Sequence, residues 1–86
     1  MDWKIGFYPR ARKDIENLDK LNRRRVSEKV DWLARNFEDT RHEPLQIPLD
    51  GHYKLRVGKI RVVYFPNYKS GTIEVEYLNY RDKVYK

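Results

Sequence analysis

The residues best suited to chemistry are cations that alternate with apolar residues in the last third of the chain. Within 53–57, Lys54 and Arg56 alternate with Tyr53, Leu55 and Val57. Because successive side chains of a strand point to opposite faces, the three apolar residues share one face and the two cations share the other. Guanidinium and ammonium groups gathered on a sheet surface bind phosphate oxygens. The pattern therefore indicates a site for a polyanion.

A short turn after these residues brings a third cation into the same place. Gly58-Lys59 fits a two-residue hairpin loop with glycine first, as a type II′ turn prefers. This loop places Arg56 directly opposite Arg61. Because opposed like charges destabilise a hairpin by up to about 1 kcal/mol, we expect an anion between them. Alternatively, these residues and Lys54 are exposed sheet cations that discourage aggregation, and a three-residue loop would break the pairing.

The C-terminal residues add one more cation and an aromatic ring. Arg81 and Tyr85 are four residues apart, so one helical turn would set them on the same side. A cation beside an aromatic ring suits an unstacked RNA base. The alternative is that Tyr85 is a packing residue that pins the C-terminus.

Composition favours a polyanionic partner and excludes several kinds of site. The 86 residues allow one domain, 1–86, and 19 Lys and Arg against 13 Asp and Glu give a net charge of +6, which attracts nucleic acid. The absence of cysteine excludes a disulfide framework, a thiolate zinc site and a cysteine nucleophile. The sequence contains no phosphate-binding loop, serine nucleophile elbow or paired-histidine zinc motif.

The two histidines do not suggest a metal site. His42 and His52 are separated by a proline-containing segment and have no acid at ligand spacing, so we expect each to be a surface or loop residue. No cofactor is expected. The N-terminus lacks an export signal and the longest apolar run, 62–65, cannot approach a membrane span, which predicts a soluble cytoplasmic protein.

The apolar periodicity predicts the elements that must position these side chains. Period two at Trp3, Ile5 and Phe7 predicts a strand, and helical spacing predicts two helices joined near Asp19-Lys20. The helical apolar positions are Ala11, Ile15 and Leu18 in the first helix, then Val26, Val30, Leu33 and Phe37. Segment 38–51 has no apolar period and is predicted to be a connection. Strands are predicted over 53–57, 60–65 and 72–78, with a turn over 66–71.

This order predicts an α+β fold: an N-terminal strand, a two-helix hairpin and a three-strand antiparallel meander, with the helices packed on one face of a mostly antiparallel sheet. The other face of the sheet is then either exposed to solvent or used for binding.

The second helix also carries cations opposite its apolar face, which are either a solvated surface or a docking surface. These cations are Lys20, Arg23, Arg24, Arg25 and Lys29.

Three segments together resemble the RelE/ParE toxin superfamily. They are Leu49-Asp50-Gly51-His52-Tyr53-Lys54-Leu55-Arg56, Ile60-Arg61-Val62-Val63-Tyr64 and Arg81-Asp82-Lys83-Val84-Tyr85. The resemblance covers essentially the whole chain and implies a toxin of a type II toxin–antitoxin system. In this superfamily RelE-like members cut messenger RNA in the ribosomal decoding site, whereas ParE-like members poison DNA gyrase on nearly the same fold.

The resemblance implies functional cations at Lys54, Arg56 and Arg61, and a functional aromatic at Tyr85 with Arg81 nearby. This set favours the ribonuclease, a metal-independent endoribonuclease in which a ribose 2′-hydroxyl attacks its own 3′ phosphate and translation is inhibited. The implied partners are a cognate antitoxin in a hetero-oligomeric complex, the ribosome and messenger RNA, with no membrane.

The residues suggest a division of roles for that reaction. Arg56 and Arg61 would clamp the phosphate and Arg81 would support the leaving oxygen. Lys54 is the candidate base, but a free lysine has a pKa of about 10.4 and would need strong depression by neighbouring cations, so its role is alternatively electrostatic. Tyr85 is assigned to stacking on the exposed base, with proton transfer as a second option.

Two departures from the family pattern leave other functions open. Many relatives carry histidine where this chain has Tyr80, and some carry arginine where Asn79 stands. One alternative is a ParE-like gyrase poison, which needs none of the cation cluster. The other is a non-catalytic homologue that only binds an antitoxin or nucleic acid.

Overall fold

The computed structural model describes residues 2–45 and 51–80. In chain order the elements are β1 (Lys4–Phe7), α1 (Pro9–Glu16), α2 (Lys20–Arg35), a 3₁₀ turn (Phe37–Asp39), β2 (Glu43–Pro44), β3 (Tyr53–Val57), β4 (Ile60–Asn67) and β5 (Thr72–Tyr80). They form a mixed sheet in the order β1-β5-β4-β3-β2. β1 is parallel to β5 and the other neighbours are antiparallel. The predicted α+β fold, with two helices covering one sheet face, is confirmed.

The helices begin and pack as their sequences dictate. α1 begins at Pro9, whose fixed φ and missing N–H suit the first helical position. Ala11 on α1 and Val26, Val30 and Leu33 on α2 are almost completely buried. They join one core with the inward-facing residues of the sheet. This apolar burial is what holds the helices against β3, β4 and β5.

α1 is also tied to the sheet by a polar contact. β1 pairs with β5 only as far as Val75, so the backbone N–H of Leu78 on that side has no strand partner. The Asp14 carboxylate accepts its hydrogen bond at 2.9 Å. A buried backbone donor is thereby satisfied where β1 ends.

A hydrogen-bonded pair, the buried Tyr64 and the half-buried His42, links the sheet to the segment that follows α2. His42 Nε2 lies 3.0 Å from the Phe37 carbonyl oxygen, which can only accept, so Nε2 carries the proton. Nδ1 therefore accepts from the Tyr64 hydroxyl at 2.6 Å. Burial, followed by the nearby Tyr53, raises the pKa of Tyr64 above its ordinary value.

A β-bulge divides β5 into two halves. Val63 on β4 pairs with Tyr77, but the next residue, Tyr64, pairs with Val75, so Glu76 is an extra residue on β5. Ile73 and Val75 therefore face the core, whereas after the bulge Leu78 faces it and Asn79 points to the opposite side. We call that opposite side, which carries Lys54, Arg56, Arg61 and Asn79, the open face.

Parts of the predicted element pattern were wrong. The segment after α2 was predicted to be a connection, but it contains the 3₁₀ turn and the edge strand β2. A two-residue strand is too short to show a period of two, and Pro44 is tolerated there because β2 is at the sheet edge. β4 and β5 each extend two residues beyond their predicted ends, and Pro66 belongs to β4 rather than to a turn.

Within the described ranges, neither α1 nor α2 is long and apolar enough to cross a membrane.

Replacing Tyr64 by phenylalanine should lower the free energy of unfolding by about 0.5–1.5 kcal/mol, because the half-buried His42 loses the donor to its Nδ1 atom. The raised pKa also makes stability pH-dependent. The stability that the protonated Tyr64 contributes is fully present below the ordinary tyrosine pKa of about 10. It falls at higher pH, where the unfolded state ionises first. Urea denaturation of Tyr64→Phe should therefore show both a lower midpoint and a shallower alkaline fall.

The matched control is Tyr68→Phe, which removes a hydroxyl from a residue that is 63% exposed. Its urea midpoint should equal that of the unchanged chain. Equal midpoints for both variants would show that the His42–Tyr64 hydrogen bond does not stabilise the fold.

Candidate nucleic-acid interface

The turn between β3 and β4 sets the geometry of the cation cluster. Gly58 has a φ of +61°, and no non-glycine residue of the described ranges has a positive φ, so Lys59 does not. This excludes a type I′ turn, which needs positive φ at both positions, and agrees with type II′. Arg56 then lies directly opposite Arg61, and Lys54 opposite Val63. The predicted register is confirmed.

The row of polar residues continues onto β5. Asn79 is the cross-strand partner of Arg61, so Arg56, Arg61 and Asn79 form a line across three neighbouring strands of the open face. The Asn79 Oδ1 atom is buried and has no hydrogen-bond partner. On α1, Arg10 adds a further cation beside this half of β5, with its guanidinium carbon 4.6 Å from the centre of the Tyr77 ring.

A carboxylate that sequence analysis missed holds two of the predicted cations. Glu43 on β2 lies opposite Lys54, and its Oε2 atom is 2.8 Å from Arg56 Nη2 and 3.9 Å from Lys54 Nζ. The Lys54 side chain is only 11% exposed, whereas Glu43 and Arg56 remain about half exposed. An anion therefore contacts the cluster, but it belongs to the protein itself. Its only sequence signal was an acid before Pro44, in a segment predicted to be a connection.

The opposite end of the open face is acidic and hydrogen-bonded. His52 Nε2 lies 3.0 Å from Glu76 Oε2, and Asn67 donates to Glu74 at 2.8 Å. Partial burial and then the hydrogen bond to Glu74 raise the pKa of Tyr8. The open face thus carries cations near the β3–β4 turn and carboxylates at its other end.

Both histidines lie in loops, as predicted, but neither is a freely exposed side chain. His42 and His52 are each half-buried and hydrogen-bonded, because each is held by a group distant in sequence, Tyr64 and Glu76 respectively. Among residues 2–45 and 51–80, no group of three or more His, Asp or Glu side chains is arranged to hold a metal ion.

The structure brings together three of the five predicted site residues. Lys54, Arg56 and Arg61 share the open face, whereas Arg81 and Tyr85 lie outside the described residues. Tyr80 ends β5 opposite Ile60.

The fold is similar to that of several solved toxin structures. The toxin–antitoxin complex RelBE2 from Mycobacterium tuberculosis contains a chain with a TM-score of 0.81 and 23% sequence identity, covering 94% of this chain and 100% of that one. In the archaeal RelE–RelB complex from Pyrococcus horikoshii OT3 the values are 0.70 and 27%, with 94% and 97% covered. The isolated RelE toxin of E. coli gives 0.75 and 20%, with 91% and 83% covered.

Comparison of the sequence with protein-family models and with curated proteins gives no match. The similarity is therefore one of structure. In addition, Arg56 and Arg61 are paired across β3 and β4 as the sequence predicted. The chain has the fold of the RelE-like toxins, and the resemblance identified in its sequence is confirmed.

Proposed function

We propose that this chain is the toxin of a type II toxin–antitoxin pair and acts in the cytoplasm as a metal-independent endoribonuclease on ribosome-bound messenger RNA. The observation that carries the proposal is the pairing of Arg56 with Arg61 on the open face, with Lys54 beside them. Opposed arginines favour an anion, and a bent phosphodiester would displace Glu43 from Arg56 and neutralise the pair more fully than one carboxylate does. The similarity to toxins solved in complexes with their antitoxins supports a cognate antitoxin as the protein partner.

The reaction that this site suits is an internal transfer at phosphorus. The ribose 2′-oxygen forms a bond to the adjacent phosphorus, and the bond from phosphorus to the 5′-oxygen of the next nucleotide breaks. A base takes the 2′-hydroxyl proton, and the leaving 5′-oxygen gains a proton. Arg56 and Arg61 neutralise the charge that develops on the non-bridging oxygens, where preorganised donors act most strongly.

Glu43 is a better candidate for the base than Lys54. Lys54 would need neighbouring cations to release its proton, but its ion-pair contact, at 3.9 Å, is with the Glu43 carboxylate. A carboxylate is ordinarily ionised at neutral pH and can accept a proton as it stands. We assign Lys54 to charge neutralisation and Glu43, which an incoming phosphate would displace from Arg56, to proton abstraction.

Arg81 and Tyr85 complete the proposal outside the described residues. Arg81 is assigned to the leaving oxygen and Tyr85 to stacking on the base beside the cleaved linkage. Replacing Tyr85 by phenylalanine keeps the ring and removes the hydroxyl, so it separates stacking from proton transfer.

The ribosome supplies what this site lacks. In-line attack requires the 2′-oxygen, the phosphorus and the leaving oxygen to be aligned, and alignment accounts for a large share of such a barrier. A shallow sheet face with a half-exposed carboxylate does not bend free RNA by itself, so the decoding site is proposed to hold the message in the reactive shape.

Arg61→Ala should reduce message cleavage by about 10²- to 10³-fold, because one preorganised charge on the transition state is lost. The measurement is induction in cells, with cut sites mapped within translated messages. Lys69→Ala, which removes an exposed cation from the distant β4–β5 turn, is the charge-matched control and should cleave normally. DNA breaks in place of message cuts would identify a gyrase poison, and toxicity without either would contradict both activities.

Glu43→Gln separates the base from a simple ion-pair partner. Cleavage should fall by about 10²- to 10⁴-fold, whereas binding of a single-stranded oligoribonucleotide should hold or tighten because a competing negative charge is gone. The Glu43–Arg56 pair is half exposed and contributes little to stability, but Lys54 is 11% exposed and loses its carboxylate, so the free energy of unfolding should fall and cleavage is compared where both chains are folded. Unimpaired cleavage by this variant would leave Glu43 with no role in proton transfer.

A further inference from the structure

A groove leads away from the arginine pair onto the second helix. It has a volume of about 410 Å³, lies between α2 and the β3–β4 turn, and is lined by Arg25, Lys29, Trp32, Arg56 and Gly58. Arg56 therefore belongs both to this groove and to the proposed cleavage site. A strand that leaves the arginine pair at Arg56 therefore meets the groove that also contains Trp32.

Trp32 lies where packing does not explain it. Its neighbours Val30 and Leu33 are buried in the core, but Trp32 is 38% exposed. Lys29 Nζ lies 4.1 Å from the centre of the indole ring. A large aromatic side chain left partly in water forgoes burial energy, and together with a cation it forms a surface that suits a stacked base next to a phosphate.

The charge of the groove favours an anionic strand. Its lining contains three cations, Arg25, Lys29 and Arg56, against one carboxylate, Glu28. That carboxylate is already engaged by Arg24 in an ion pair of 3.4 Å along the helix. Arg56 is likewise paired with Glu43, so the net positive charge of the groove rests on Arg25 and Lys29.

We infer that this groove binds the single-stranded RNA that flanks the cleaved linkage. One base stacks on Trp32, and Arg25 and Lys29 contact the phosphates on either side of it. A single strand alternates flat bases with phosphates, and this groove alternates an exposed ring with cations. The inference rests on the proposed function for one point only, that the strand at Arg56 is the one that is cut.

Tryptophan fluorescence tests the stacking directly. The chain has two tryptophans, and Trp3 is 9% exposed and packed on Phe37 at a ring distance of 4.1 Å. Titration with a ten-residue oligouridylate should therefore quench mainly Trp32, and the quenching should vanish in Trp32→Phe. Trp32→Ala should weaken binding by about 5- to 150-fold, the range for losing one stacked base.

Salt dependence tests the phosphate contacts. Removing two of them with Arg25→Ala/Lys29→Ala should reduce the slope of log affinity against log salt by about 1.4, at about 0.7 for each single-strand phosphate. Arg41→Ala/Lys69→Ala removes the same charge from two exposed loop positions outside the groove and should leave the slope unchanged. An equal change of slope in both double variants would show that only the net charge matters, and this would refute the groove as the binding site.

The outcomes separate this inference from the cleavage proposal. Arg61→Ala should lose cleavage and keep the Trp32 quenching. Quenching with the expected salt slope, but no message cuts on induction, would support the groove and refute the nuclease. Absence of quenching by the oligouridylate, or quenching by an acidic antitoxin peptide instead, would refute the groove as an RNA site whatever the cleavage assay gives.

Discussion

The register between β3 and β4 is the constraint on which the site depends. A turn of two residues allows only one pairing of the strands, and in that pairing Arg56 and Arg61 are direct neighbours. A shift of β3 by one residue against β4 would send Arg56 toward the helices and bring Tyr53, Leu55 and Val57 to the open face. Packing of the core therefore holds the two arginines together despite their repulsion. Val57, Ile60 and Val62 are buried only in the register that also places Arg56 opposite Arg61.

The open face is electrically divided, and this limits how a nucleic acid can lie on it. The arginine pair stands near the β3–β4 turn, whereas Glu74 and Glu76 stand at the other end of the same face. A strand of phosphates that ran the whole length of the sheet would meet those carboxylates. A nucleic-acid strand avoids these carboxylates if it leaves the sheet past Arg56 and runs toward α2.

Much of the scaffold could be predicted because its signals are local. Alternation along 53–57, the glycine at position 58 and the helical spacing of Val26, Val30 and Leu33 each reflect a short stretch of chain, and all were confirmed. Glu43 could not be found in this way, since β2 is too short to have a period. The contacts of His42 with Tyr64 and of His52 with Glu76 join residues more than twenty positions apart, which no local pattern encodes.

The exposed ring of Trp32 was also missed, for a different reason. Its position beside the apolar stripe of α2 is compatible with the core, and only the packed structure shows how much of it remains in water. Asn79, one of the two departures from the family pattern, lies directly across from Arg61. Its amide oxygen is buried and has no hydrogen-bond partner.

The extra residue at Glu76 makes β5 two strands joined end to end. Each half has one side in the core, through Ile73 and Val75 in the first half and Leu78 in the second, and each has its own alternation of inward and outward positions. Selection can therefore vary the outward residues of the second half without disturbing the packing of the first. This independence lets Asn79 extend the polar row of the open face while Leu78 beside it completes the core.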